Sequence, residues 1–157
     1  MARMRTRRFR YQDPGCRLTL RQGLQEYFAG HSGLVKPDSA DIQTAKFFHS
    51  HDTCHVLFGL DTTLPDEGLA DLWTVFGTDI GLGRYARYLW TDPAARQIVK
   101  EIGLFQTIVT GLRLFPSVAR VFLSSRKMKR KWPWGDEERY LDCPLVELRH
   151  EFNIDLL

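Results

Sequence analysis

Two histidines four residues apart, His51 and His55, enclose Asp52, Thr53 and Cys54, and Glu67 follows after eleven intervening residues. On a helix, a four-residue spacing stacks two imidazoles on one face. Two nitrogen donors with one or two carboxylates suit zinc, or iron with positions left open. The candidate ligands are therefore His51, Asp52, His55 and Glu67, and the chemistry they suggest is that of a divalent metal centre.

With His51 at zero on a helical wheel and about 100° per residue, His55 falls about 40° away and Asp52 about 100°. Phe47 and Phe58 share the histidine face, so burial is expected there. Desolvation favours neutral imidazoles, the form that binds metal. A buried carboxylate beside them needs a cation or hydrogen-bond donors. The competing reading is a pair of core histidines bonded to backbone carbonyls, one of them oriented by Asp52, and the pattern alone weighs the two about equally. The run lacks the glutamate of His-Glu-x-x-His, so the general base of a zinc protease is missing.

Glu67 is less secure. Leu69, Leu72, Trp73 and Phe76 share one face of its helix, and Glu67 and Asp71 lie opposite. Two-layer packing would leave Glu67 in water, as a first-turn acid favoured by the helix dipole. It reaches a metal only if its helix is sandwiched or its first turn faces the histidine helix. His49 lies about 160° from His51 and is not counted as a ligand. His31 and His150 read as isolated surface residues, and Cys54 as a small buried one.

The elements that must position these groups read as helices. Residues 18–29 form a short one, stopped near Gly30 and Gly33. Asp38 or Ser39 caps a helix from Ala40 to about Phe58, with Gly59 as its stop. Pro65 fits the first turn of the next helix, which runs to about Phe76. Residues 84–90 read as a short helix or turn. A further helix runs from about Ala94 to Phe115, breaks at Pro116 and resumes over 117–131. Asp136 to Leu141 is a helical turn, and Pro144 to Phe152 a final helix. No stretch shows strand alternation between hairpin turns. The expected fold is all-α, a single compact helical domain over 18–157 with the metal motif on a central helix, preceded by a basic flexible tail over 1–17.

The chain has 157 residues, 43% of them apolar, with ten Phe and four Trp, enough for a core that needs no metal or disulfide to hold it. The net charge of +3 is unevenly spread. Arg3, Arg5, Arg7, Arg8 and Arg10 cluster at the start, and Arg126, Lys127, Lys129, Arg130 and Lys131 near residue 130. Three cysteines without a CxxC pair argue against a disulfide framework. The N-terminus has no apolar signal region, so secretion is not expected.

His51-Asp52-x-x-His55-x11-Glu67 resembles the signature of the coenzyme Q biosynthesis protein four family. Val56-Leu57-Phe58-Gly59 follows the motif as it does in that family. Trp132, Trp134 and Pro144-Leu145-Val146-Glu147-Leu148-Arg149 resemble the family's Trp-rich segment and its closing Pro-Leu-x-x-Leu-Arg. The resemblance covers roughly 38–154. It implies a helical fold, a divalent metal usually taken as zinc, and work in ubiquinone biosynthesis at a membrane surface. It also implies a polyprenylated lipid and other biosynthetic proteins as partners, and oxidative removal of the ring carboxyl at C1 of a prenylated hydroxybenzoate. The implied location is the cytoplasmic face of a bacterial membrane or the matrix side of the mitochondrial inner membrane. This chain is shorter than typical members, and its 126–131 segment is unusually basic.

Residues 102–123 are long and apolar, but Gln106, Arg113, Pro116 and Arg120 interrupt them, which argues against a membrane span. They read as a core helix or as a groove for an isoprenoid tail. The basic run with Trp132 and Trp134 suits anionic lipid headgroups, the competing reading being a solvated basic loop with core tryptophans, while nucleic acid is disfavoured because no recognition fold accompanies it. Two functions follow: a metal-dependent oxidative decarboxylase, or a lipid-presenting scaffold with a structural metal.

Overall fold

The computed structural model describes residues 8–31, 42–91 and 104–157, with the backbone alone for 104–115. Among them are six α-helices and no strand: α1 (Leu20–Gly30), α2 (Ile42–Leu57), α3 (Leu64–Gly77), α4 (Gly81–Thr91), α5 (Leu104–Lys127) and α6 (Leu145–Phe152). Short 3-10 turns occupy Arg10–Gln12 and Glu137–Tyr140. The all-α expectation holds for these residues. The expected caps Asp38 and Ser39 lie outside them, as do residues 94–103 of the helix expected from Ala94, and with them the first two residues of the apolar stretch 102–123.

Local chemistry sets most boundaries. Thr19 caps α1: its hydroxyl accepts from the Gln22 backbone N–H at 3.2 Å, and the Gln22 side chain accepts from the Thr19 N–H at 3.0 Å. Pro65 sits in the first turn of α3, where its missing N–H costs nothing. Asn153, at φ 56°, ends α6 in the left-handed conformation.

Two expectations fail. Pro116 does not break its helix; α5 runs through it to Lys127. Its ring is on the exposed side, and packing of α5 on α3, where Phe122 meets Phe76 at 5.5 Å, outweighs the lost backbone bond. Residues 8–17 are not a free tail. Tyr11 is fully buried, its hydroxyl donates to the Leu60 carbonyl at 2.9 Å, and its ring meets Tyr27.

The helix that carries the acids is flanked on two sides. Trp73 of α3 stacks on Phe58 at 4.2 Å, while Phe76 turns to α5. A second, smaller cluster of Phe47, Ile80 and Tyr85 joins α2 to α4. Helix α1 crosses α2 closely at Gly23, where a Cβ would come within 2.6 Å of Val56. Among the described residues, no helix is long and apolar enough to cross a membrane.

Candidate metal centre

The site forms where the end of α2 meets the start of α3. Gly59, at φ 68°, lets the chain reverse directly after α2. The Leu60 N–H closes back on the His55 carbonyl at 2.8 Å. The Asp61 N–H then donates to the Asp66 carboxylate at 2.7 Å, tying the connection to the first turn of α3. This short link sets the Glu67 turn beside the histidine face of α2. The sandwiching of α3 between α2 and α5 allows it: the apolar face is served by Phe58 and α5, and the acidic face is left to the histidines.

One ligand atom from each of His51, His55 and Glu67 lies within 4.8 Å of the others. This cluster can hold a metal ion. His55 Nδ1 lies 3.0 Å from the Asp61 carbonyl, which can only accept, so the hydrogen is on Nδ1 and Nε2 presents its lone pair. That Nε2 is buried without a hydrogen-bond partner, and Glu67 Oε2 stands 3.4 Å from it. Donors at zinc-ligand distance in a tetrahedral shell lie roughly 3.3 Å apart, so the observed separation matches two ligands of one ion.

His51 Nε2 lies 3.2 Å from Asp71 Oδ1, and the Tyr85 hydroxyl donates to the same oxygen. Carboxylate partners of this kind orient metal-binding imidazoles. Burial lowers His51 basicity, but the Asp71 bond and the charges of Asp71, Glu67 and Asp52 outweigh it and raise its pKa. Burial dominates at His55 and holds its pKa below the usual histidine value.

Asp52 does not join the three. Its Oδ1 accepts from the Tyr27 hydroxyl at 3.3 Å, on the α1 side of α2. Burial pushes its carboxyl up to about 7, against the lowering effects of His51 and the Tyr27 bond. Burial also pushes the Cys54 thiol up to about 12, so it is an inert buried residue and not a ready thiolate.

Sequence reasoning missed Asp71, Tyr85, Tyr27, Asp61 and His31. Asp71 had a signal, since it lies four residues after Glu67 on the same face. His31 is not a surface residue: its side chain is 8% exposed and its Nε2 lies 2.8 Å from Asp61 Oδ1.

Of the residues expected at a lipid interface, Trp132 is corrected: it is fully buried, with Tyr140 at 4.8 Å and Phe152 at 5.1 Å. Its backbone N–H donates to Gly77, which draws the ring inward. Trp134 is half-buried against Phe47. Arg126, Lys127, Lys129, Arg130 and Lys131 are exposed. Arg130 pairs with Glu151 and lies over Phe152, while the Lys131 ammonium donates to the Phe76 carbonyl.

No family model, no curated protein and no solved structure matches this chain.

Proposed function

We propose that this chain is a metal-dependent decarboxylase of ubiquinone biosynthesis, of the kind its motif resembles. It would act at a membrane surface beside other proteins of that pathway. Its proposed reaction is oxidative removal of the carboxyl at ring C1 of a prenylated hydroxybenzoate: the bond from C1 to the carboxyl breaks, carbon dioxide leaves, a hydroxyl from dioxygen takes its place, and two reducing equivalents from an external donor carry the second oxygen atom to water. The observation that carries this reading is the meeting of His51, His55 and Glu67 at one point, with the Glu67 side chain 38% exposed. Three protein donors with a side open to solvent match a catalytic site, whereas structural zinc is closed by four. The donor set suits zinc first and also non-haem iron.

His51, His55 and Glu67 would hold the divalent ion, which when bound would polarise the ring substituents as a Lewis acid. The chain's own residues do the rest. Asp61 and Asp71 fix the two imidazoles, and Glu67 supplies negative charge. Asp52, with its carboxyl near 7 and its bond to Tyr27, can hold or release a proton beside the site near neutral pH. At the end of α5, exposed Phe122 and Leu123 adjoin Arg126 and Lys127. Apolar and cationic groups side by side suit an anionic lipid surface.

The test is elemental analysis of the purified protein beside a His51→Ala/His55→Ala variant, followed by turnover of a prenylated hydroxybenzoate. Near-stoichiometric zinc or iron, lost together with turnover in the variant, supports the enzyme. Metal without turnover leaves the scaffold reading in front, and metal in neither protein removes the centre.

A further inference from the structure

We infer that His31 is a positioning residue for the metal centre: it clamps the connection between the two ligand-bearing helices through Asp61. The inference rests on the metal reading of His51, His55 and Glu67 and adds a residue from a third helix.

His31 stands at the C-terminal end of α1 and faces two acceptors. Its Nδ1 lies 2.7 Å from the Tyr27 carbonyl and its Nε2 2.8 Å from Asp61 Oδ1. With a proton on each nitrogen the ring donates to both, anchoring α1 to residue 61. The ring is also wedged between Tyr27 at 4.8 Å and Phe9 at 5.0 Å, so its direction is fixed by packing as well as by bonds.

Asp61 is the midpoint of the link from His55 to Glu67. Its carbonyl receives the His55 Nδ1 hydrogen, its N–H reaches Asp66 next to Glu67, and its carboxylate accepts from Thr62 N–H at 2.8 Å. One residue therefore sets the ring orientation of one ligand and the starting point of the helix that carries another. Among the described residues, His31 is the side chain from outside the link that hydrogen-bonds the Asp61 carboxylate, while the charge of Arg8 acts on it without a hydrogen bond. Groups that orient ligands in this way govern metal affinity although they never touch the ion.

The test titrates the full chain, stripped of metal, with cobalt(II) alone and follows the visible bands, which report ligand geometry. Four variants accompany it: His31→Ala, Asp61→Asn, Phe9→Leu and the His51→Ala/His55→Ala pair. His31→Ala is expected to weaken binding by about 10- to 100-fold and to shift the bands, while Phe9→Leu, which loosens the same corner by packing alone, stays near the parent. If His31→Ala does not fold, Asp61→Asn, which keeps the shape and the backbone carbonyl but loses the charge, gives the same answer with a smaller loss. Parent-like affinity and bands in the His31 or Asp61 variant overturn the clamp and leave the metal centre standing. An equal loss in Phe9→Leu also overturns it, because general loosening then accounts for the effect. A parent that binds no cobalt, or binding that survives in the double histidine variant, removes the metal reading itself.

Discussion

His55 Nε2 and Glu67 Oε2 face each other at 3.4 Å with no hydrogen bond joining them. The His55 ring hydrogen points the other way, to the Asp61 carbonyl. Two acceptors in contact repel unless a cation or a shared proton stands between them, and a bound metal would remove that repulsion. Glu67→Gln should separate the two effects. The amide N–H can donate to Nε2, stabilising the metal-free protein by about 1 kcal/mol and raising Tm by roughly 2–4 °C. Metal affinity should fall by more than the roughly 10- to 100-fold typical of outer partners. Calorimetry of the stripped protein and a zinc titration read the two signs. A lower Tm in the variant would show that His55 and Glu67 share a proton instead.

Asp52 should make the metal-free protein less stable as pH rises. Burial, the largest influence, lifts its folded value to about 7, against roughly 3.9 in an unfolded chain. Folding therefore penalises the ionised form, and the penalty grows between about pH 4 and pH 7. Asp52→Asn removes it while keeping an acceptor for Tyr27. At pH 8 the variant should exceed the parent by up to a few kcal/mol, and at pH 5 the gain should be much smaller. Thermal unfolding at the two pH values decides, since an equal difference at both means that Asp52 ionises freely in the fold.

Gly59→Ala tests the turn that brings Glu67 to the histidines. Gly59 has φ 68°, and an added Cβ would lie 2.9 Å from Leu156 Cδ1. The leucine tip can swing aside, so the left-handed backbone sets the cost, about 1–2 kcal/mol. At about 2–4 °C per kcal/mol, a small drop in Tm is expected. The larger signal should be in metal affinity, because the turn fixes where α3 begins. Unchanged cobalt(II) affinity would show that the ligand pair tolerates a shift of the connection.

The parts of this fold that were legible from sequence are those with a local cause. Gly59 stops α2, Pro65 starts α3, and the four-residue histidine spacing sets both rings on one face. What local pattern could not supply was the third layer. Glu67 reaches the site because α5 covers the other face of α3, and nothing in the α3 sequence states that. The same limit hid His31 and Tyr27, whose roles depend on α1 docking against residues 25 to 30 positions away. Trp132 read as interfacial because a Trp beside lysines is ambiguous until its backbone pairing with Gly77 is known. Pro116 read as a break because its cost is local, while the packing that overrides it is not.

Arg149 explains why residues 8–17 are docked, and it yields the last prediction. Arg149 is 4% exposed. It donates to Leu57 O at 2.9 Å, Val56 O at 3.0 Å, Tyr11 O at 2.6 Å and Asp13 O at 2.6 Å. Two of those carbonyls end α2, where the helical ladder runs out: Val56 O also accepts from the Gly59 N–H at 3.3 Å, and Leu57 O depends on the guanidinium. Burial pulls the Arg149 pKa down to about 10, against the charges of Cys16 and Asp13 that raise it, so it stays charged at neutral pH. A lysine keeps the charge but cannot reproduce the planar fork. Arg149→Lys should leave one or two buried carbonyls unpaired, at about 1–3 kcal/mol each. Amide hydrogen exchange should then rise first over residues 8–17, followed by the end of α2 beside His55. Exchange that rises uniformly along the chain would mean that the fork supports global stability and does not specifically fasten the N-terminal segment to the ligand helix.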